Sequence, residues 1–218
     1  MRHSYSSLET FNKCPLKFKY SYVDRLPRGE PHPNAQRGTD IHDSIEKFML
    51  GETDQLHPDI HAKYGHQFTL LREEAKCIPE PVFLLDENWE TTDDQDNAML
   101  KGFLDLKVIW DDAVDIKEWK TGKVYDEHQM QRYLYGMVTL IQHPEVDEVE
   151  VETVYLDQNG KDAKQVFHRD NLQFMKSDWG SRIVKVENAI ERDMFPANPQ
   201  FLCRYCDFSK QNGGPCQF

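Results

Sequence analysis

Residues 101–123 read Lys-Gly-Phe-Leu-Asp-Leu-Lys-Val-Ile-Trp-Asp-Asp-Ala-Val-Asp-Ile-Lys-Glu-Trp-Lys-Thr-Gly-Lys. Two runs rich in apolar and β-branched residues flank Asp111-Asp112, the pattern of a β-hairpin turning at the two aspartates. With the turn there, antiparallel pairing sets Asp105 opposite Glu118 or Trp119, within cross-strand reach. Side chains alternate faces along a strand, so Glu118 and Lys120 point the same way. Two carboxylates and an ammonium converge on one patch. Hard oxygen ligands of this kind suit Mg²⁺ or Mn²⁺. A lysine beside such an ion can orient or deprotonate a water and offset charge developing on a phosphate. A second D-x-K frame, Asp115-Ile116-Lys117, lies three residues earlier. The later frame is preferred because its face (Val114, Ile116, Glu118, Lys120) runs from apolar into polar, as a core strand reaching a site should.

Outward from this hairpin the pattern is α/β. Upstream, residues 4–20 read as an amphipathic helix after a Ser cap, Arg25 to Gln36 as a Pro-containing loop, and 38–50 as a helix with Ile41, Ile45, Phe48 and Met49 on one side. Residues 60–77 suit a further helix and Glu80 to Leu85 a strand, with an acidic loop over 90–97. Downstream come a helix over 126–142, a strand over 149–156, a turn at Asp157-Gln158-Asn159-Gly160, a partner strand over 163–168 and a helix over 170–193. The expected fold is a central mixed β-sheet flanked by helices. A length of 218 residues suits one domain with at most a small appendage, and 12 Phe, 9 Tyr and 4 Trp supply a core.

The formal net charge of −12 argues against a surface coated in basic residues for nucleic acid. The charge is uneven: residues 1–40 hold seven Lys/Arg against four acids, whereas 80–115 hold eleven acids against Lys101 and Lys107. An acidic metal centre beside a basic lead-in fits local phosphate contacts, and equally fits ordinary solvated charge. No apolar run approaches membrane-spanning length and residues 1–7 lack an apolar signal-peptide core, so cytoplasmic residence is expected, in the host cytoplasm for a virus-encoded protein.

The hairpin resembles the PD-(D/E)XK nucleases, and within them the RecB-like exonuclease branch with its restriction-endonuclease-like core. Asp105 stands at the first acidic position in a Gly-x-x-Asp frame from Gly102; Glu118-Trp119-Lys120 matches (D/E)-x-K and runs into Thr121-Gly122. His42, in Arg37-Gly38-Thr39-Asp40-Ile41-His42, matches the Gly-x-x-x-His motif. The resemblance implies Lys120, Glu118 and Asp105 as catalytic residues, with His42, Asp105, Glu118 and the Trp119 carbonyl as metal ligands. Glu80, opening Glu-Pro-Val-Phe-Leu-Leu, is a further ligand candidate, although Pro81 suggests an edge strand. Gln129 and Tyr133, four apart on one helix face, match a Q-x-x-x-Y element that supports the lysine and the DNA.

Five cysteines without an export signal argue against a disulfide scaffold. Cys203-x-x-Cys206 followed by Cys216, with Cys14-Pro15 far upstream, resembles the iron–sulfur staple of RecB-like nucleases, including AddB-type and CRISPR-associated members. The implied cofactor is a 4Fe-4S cluster joining residues 1–36 to 195–218, with Zn²⁺ as the alternative. The last spacing is longer than usual, and Gly213-Gly214-Pro215 marks a looped insertion. Cys77 reads as a small hydrophobe. The implied activity is metal-dependent exonucleolytic hydrolysis of single-stranded DNA or duplex ends, with a helicase or recombination protein as a partner. The alternative is a cluster- or zinc-stapled module that holds DNA ends or a helicase without cutting. No G-x-x-x-x-G-K-(S/T) loop is present.

Overall fold

The computed structural model describes residues 1–29, 33–158 and 161–218. The chain divides into two compact units, residues 1–31 with 178–218, and residues 32–177. In the first, Ser4 caps α1 (Tyr5–Lys13) through a reciprocal bond with Ser7. The expected single helix over 4–20 is broken at Cys14-Pro15. A proline disfavours helical geometry in the residue before it, and Cys14 is extended, forming a corner before α2 (Pro15–Phe18) and a π-helical turn over Lys19–Val23. Phe18 is fully buried, edge-on to Phe11 and stacked on Tyr22 and Phe195. The tail of this unit carries 3₁₀ turns at Phe201–Tyr205 and Lys210–Asn212.

In the larger unit, α3 (Pro33–Met49) starts five residues before the expected 38. Its first turn tolerates Pro33, because an N-terminal N–H has no helical partner to lose. Part of the expected Arg25–Gln36 loop is therefore helix; residues 30–32 lie outside the described residues, as do Asn159-Gly160 of the expected turn. Helix α4 (Pro58–Glu74) ends at Ala75, and the residues expected to continue it form β1 (Lys76–Pro79). Strands β2 (Val82–Leu85), β3 (Leu100–Phe103), β4 (Leu106–Ile109) and β5 (Val114–Lys120) follow. Helix α5 (His128–Gln142) leads to β6 (Glu148–Tyr155), β7 (Ala163–His168) and then α6 (Leu172–Glu191).

Five strands form one sheet in the order β1-β4-β5-β6-β7, and β2 pairs with β3 separately. The hairpin closes as expected: Ile109 pairs with Val114, and Trp110 N–H donates to the Ala113 carbonyl at 2.9 Å across the aspartates. Strands β5 and β6 run parallel, which requires a long crossover that α5 supplies. The sheet is mixed, as the sequence suggested. One of its faces packs Leu106, Val108, Trp119 and Val154 under Ile41, Ile45, Phe48, Tyr64 and Phe68 of α3 and α4. Helix α5 lies on β6 and β7, where a Cβ on Gly136 would come within 2.2 Å of the Phe167 ring.

The first strand of the expected hairpin is split between the sheets as β3 and β4, and the expected Glu80–Leu85 strand starts only at Val82, after β1. The chain passes from β1 to β2 through Glu80-Pro81 and from β3 to β4 through Leu104-Asp105. The two crossings are bonded to each other, Glu80 N–H to the Asp105 carbonyl at 3.1 Å and Leu104 N–H to the Pro81 carbonyl at 3.2 Å. Pro81, which has no N–H to give a ladder, marks this crossing, and the strands on either side of it, β1 and β2, are both edge strands as Pro81 suggested. No helix among the described residues is long and apolar enough to cross a membrane.

Candidate active site

The paired crossings place two carboxylates where regular strands would not. Glu80 has a left-handed backbone (φ +47°), an uncommon conformation for a residue with a Cβ and one that functional sites often retain. Leu106 pairs with Lys117, so Asp105 falls level with Glu118, and Trp119 N–H donates to Asp105 Oδ2 at 2.7 Å. The other oxygen, Oδ1, faces His42 Nδ1 at 3.4 Å. His42, Glu80 and Asp105 each offer a ligand atom within 4.8 Å of the others, the one such group among the described residues.

Glu118 lies beside them and is 4% exposed. Its Oε1 accepts from Lys120 Nζ at 2.6 Å and Gln131 Nε2 at 2.8 Å, while Oε2 is buried without a hydrogen-bond partner. A bare anionic oxygen is costly to bury, and a cation beside it removes that cost. This orphaned oxygen and the neighbouring three-residue group, with their imidazole and carboxylate donors, fit a divalent ion.

The charges are mutually adjusted. Burial, and then repulsion from Asp105, push the Glu118 carboxyl up to about 7 against the pull of Lys120. Burial likewise drives Glu80 up to about 7, helped by Asp105 and Glu46. Burial alone would lower His42, but its bond to Asp105 and the charges of Asp105 and Glu118 raise it. Burial is the largest influence on Lys120 and lowers it, but the charge and hydrogen bond of Glu118 together with Asp105 and Tyr155 raise it overall, so it stays an ammonium. Trp119 turns its ring to the opposite face, 5.0 Å from Phe68. The earlier frame lies on that face too: Asp115 accepts from Trp110 Nε1 at 2.8 Å, and Lys117 pairs with Glu152 at 2.5 Å.

A profile of the PD-(D/E)XK nuclease superfamily matches residues 2–211. The chain belongs to the PD-(D/E)XK nuclease superfamily. Among solved structures it resembles the protein SSO0001 (15% identity, TM-score 0.50, covering 96% of this chain and 84% of that one). It also resembles a protein of Eubacterium rectale named "putative exonuclease" (12% identity, TM-score 0.51, covering 86% and 82%). At these identities the likeness is one of fold. No curated protein matches.

In this PD-(D/E)XK nuclease the glutamine that reaches Glu118 is Gln131, which also donates to the Tyr135 hydroxyl at 2.9 Å. Q-x-x-x-Y occurs twice on α5, as Gln129/Tyr133 and Gln131/Tyr135, and a step of two residues turns a helix by about 200°. Tyr133 instead meets Phe167, ring centroids 6.1 Å apart. Burial separates the two frames: Gln131 and Tyr135 are buried, Gln129 and Tyr133 are not.

Sequence reading also missed Arg37. It grips Asp157 with both terminal nitrogens, at 2.9 and 3.0 Å, and reaches Asp59 at 2.7 Å. Asp157 in turn accepts from Gly122 N–H at 2.7 Å, and Gln158 donates to the Gly122 carbonyl at 3.0 Å. Gly122 takes φ +93°, a conformation that suits glycine. Arg37 and His42 share α3, so this clamp fixes the Lys120-Thr121-Gly122 turn to the helix that carries the imidazole.

In the smaller unit, Cys14, Cys203, Cys206 and Cys216 line one cavity, and none forms a disulfide. Gln200 N–H donates to Cys203 Sγ at 3.3 Å. The long spacing before Cys216 is taken up by a compact loop. Asn212 donates to the Arg204 and Cys206 carbonyls at 3.0 Å, and a Cβ on Gly214 would come within 2.2 Å of the Phe208 backbone. Cys77 is half-buried against the larger unit's core, and burial pushes its thiol up.

Proposed function

We propose that the protein is a divalent-metal-dependent deoxyribonuclease of the RecB-like branch, an exonuclease hydrolysing phosphodiester bonds of single-stranded DNA or DNA ends. One observation carries the reading: the three-residue ligand group at the sheet crossing, beside a buried glutamate with one bare oxygen and a charged lysine. His42, Glu80, Asp105, Glu118 and the Trp119 carbonyl would hold Mg²⁺ or Mn²⁺. Such an ion supplies Lewis acidity and lowers the pKa of bound water. Lys120 donates to the attacking water and to the phosphate oxygens, Gln131 fixes the rotamer of Glu118, and Asp105 is held in place by the Trp119 amide.

In the smaller unit we propose a 4Fe-4S cluster on Cys14, Cys203, Cys206 and Cys216. The four thiols lining one cavity are what supports a metal centre there.

The test is digestion of end-labelled single- and double-stranded DNA with Mg²⁺ or Mn²⁺, using protein purified without oxygen. The wild type should shorten labelled strands from an end, and Lys120→Ala should keep its fold and metal binding while losing cleavage. DNA left intact by metal-loaded wild type would leave only the non-catalytic binding module.

A further inference from the structure

The turn that carries Cys203 and Cys206 also displays large apolar side chains to solvent: Phe201, Leu202 and Tyr205 are 71%, 59% and 69% exposed. Exposed rings so close together are unusual and call for a partner. Between the two rings lies a cation. The Arg204 guanidinium sits 3.7 Å from the Phe201 ring centroid and 4.7 Å from that of Tyr205. Cation–π attraction holds both rings in place while their remaining surfaces stay open.

The turn itself is rigidly tied. Cys203 N–H donates to the Gln200 carbonyl, Cys206 N–H to the Cys203 carbonyl, and Asn212 caps the Arg204 and Cys206 carbonyls. Charge supplies the second argument. Residues 1–31 and 178–218 carry eleven Lys/Arg against eight Asp/Glu, a surplus of three in a chain whose net charge is −12; the other unit therefore carries −15. Rings preset by a guanidinium on the one positively charged unit match how single strands are held, by stacking of bases and contact with phosphates.

We propose that Phe201, Arg204 and Tyr205 form a stacking platform for the bases of single-stranded DNA. This extends the nuclease reading by naming a second contact for the same substrate, and it can fail separately. The surplus of positive charge on this unit favours a polyanion as the occupant.

The test is fluorescence anisotropy of labelled oligo-thymidine with the full chain and excess EDTA at fixed salt. Stacking makes each ring worth roughly tenfold in affinity, so Phe201→Ala/Tyr205→Ala should weaken binding roughly 100-fold, and Phe201→Ala alone roughly tenfold. Phe174→Ala, equally exposed on α6 (72%), should change nothing. Thermal melting and visible absorbance of the double variant should match the wild type, showing that turn and cluster persist. Unchanged oligo-thymidine affinity in a folded double variant would overturn the proposal, as would loss of self-association in its place, which would make the patch an interface between copies. Binding without metal reads the platform whether or not the protein cuts. Platform-dependent binding by a protein inert with Mn²⁺ would refute the nuclease reading alone.

Discussion

Metal binding should expel protons, and the number follows from the two buried glutamates. Glu80 and Glu118 are both held near 7 before an ion arrives. At about pH 6 each is roughly nine-tenths protonated, and at about pH 8 roughly one-tenth. An ion taking both carboxylates therefore displaces roughly 1.8 protons at the lower pH and about 0.2 at the higher. His42, raised above its ordinary value by Asp105 and Glu118, adds to the release when the ion takes its imidazole. The sign is fixed: these groups bind protons in the free protein and lose them to the ion, so affinity falls as pH falls. The two carboxyls alone should weaken Mn²⁺ binding roughly 100-fold between about pH 8 and 6. Calorimetric titration of Mn²⁺ in two buffers of different ionisation enthalpy reads the released protons directly. Glu80→Gln should remove roughly one of them. A release of one proton or fewer at about pH 6 would leave the imidazole as the only titrating ligand and refute this account of the carboxylates.

Gln131→Leu strips a donor from a buried carboxylate, an interaction worth about 1.5–3 kcal/mol. It should cut kcat/KM for DNA cleavage roughly 10- to 100-fold, while Gln129→Leu stays within about twofold; the reverse order would restore the earlier frame. Arg37→Met should free the turn after Lys120 and lower kcat roughly tenfold, with Arg37→Lys recovering only part, since a point charge cannot grip both Asp157 oxygens. Equal rates for all three would remove Arg37 from the positioning of Lys120. Gly136→Ala forces a methyl into the Phe167 ring and should cost about 1–3 kcal/mol, seen as a Tm lower by several degrees.

The hairpin was legible because its causes are local. Alternation along 106–120 and the paired aspartates at the turn set the register, and register alone brings Asp105, Glu118 and Lys120 onto one face. The helical periods of α3 and α5 and the strand pattern of β6 and β7 were equally local. Boundaries were misread where a neighbour decided them. β1 exists because it has β4 to pair with, and its own sequence continues the helical pattern of α4. Sequence could not separate the two frames on α5 for a related reason, since both glutamine–tyrosine pairs have helical spacing and only packing distinguishes the buried one.

The sequence by itself determined the α/β class and the chemistry of the central ribbon, because period-two alternation and turn residues act between near neighbours. Tertiary structure decided the rest of the site. Glu80 reaches Asp105 only because two strands cross between sheets at the same level, and the crossing exists only once both are paired. Arg37 meets Asp157 across 120 residues, and Cys14 meets Cys203 across nearly the whole chain. No local preference encodes contacts of that separation; they form when burial of the two cores outweighs the entropy of closing such long loops.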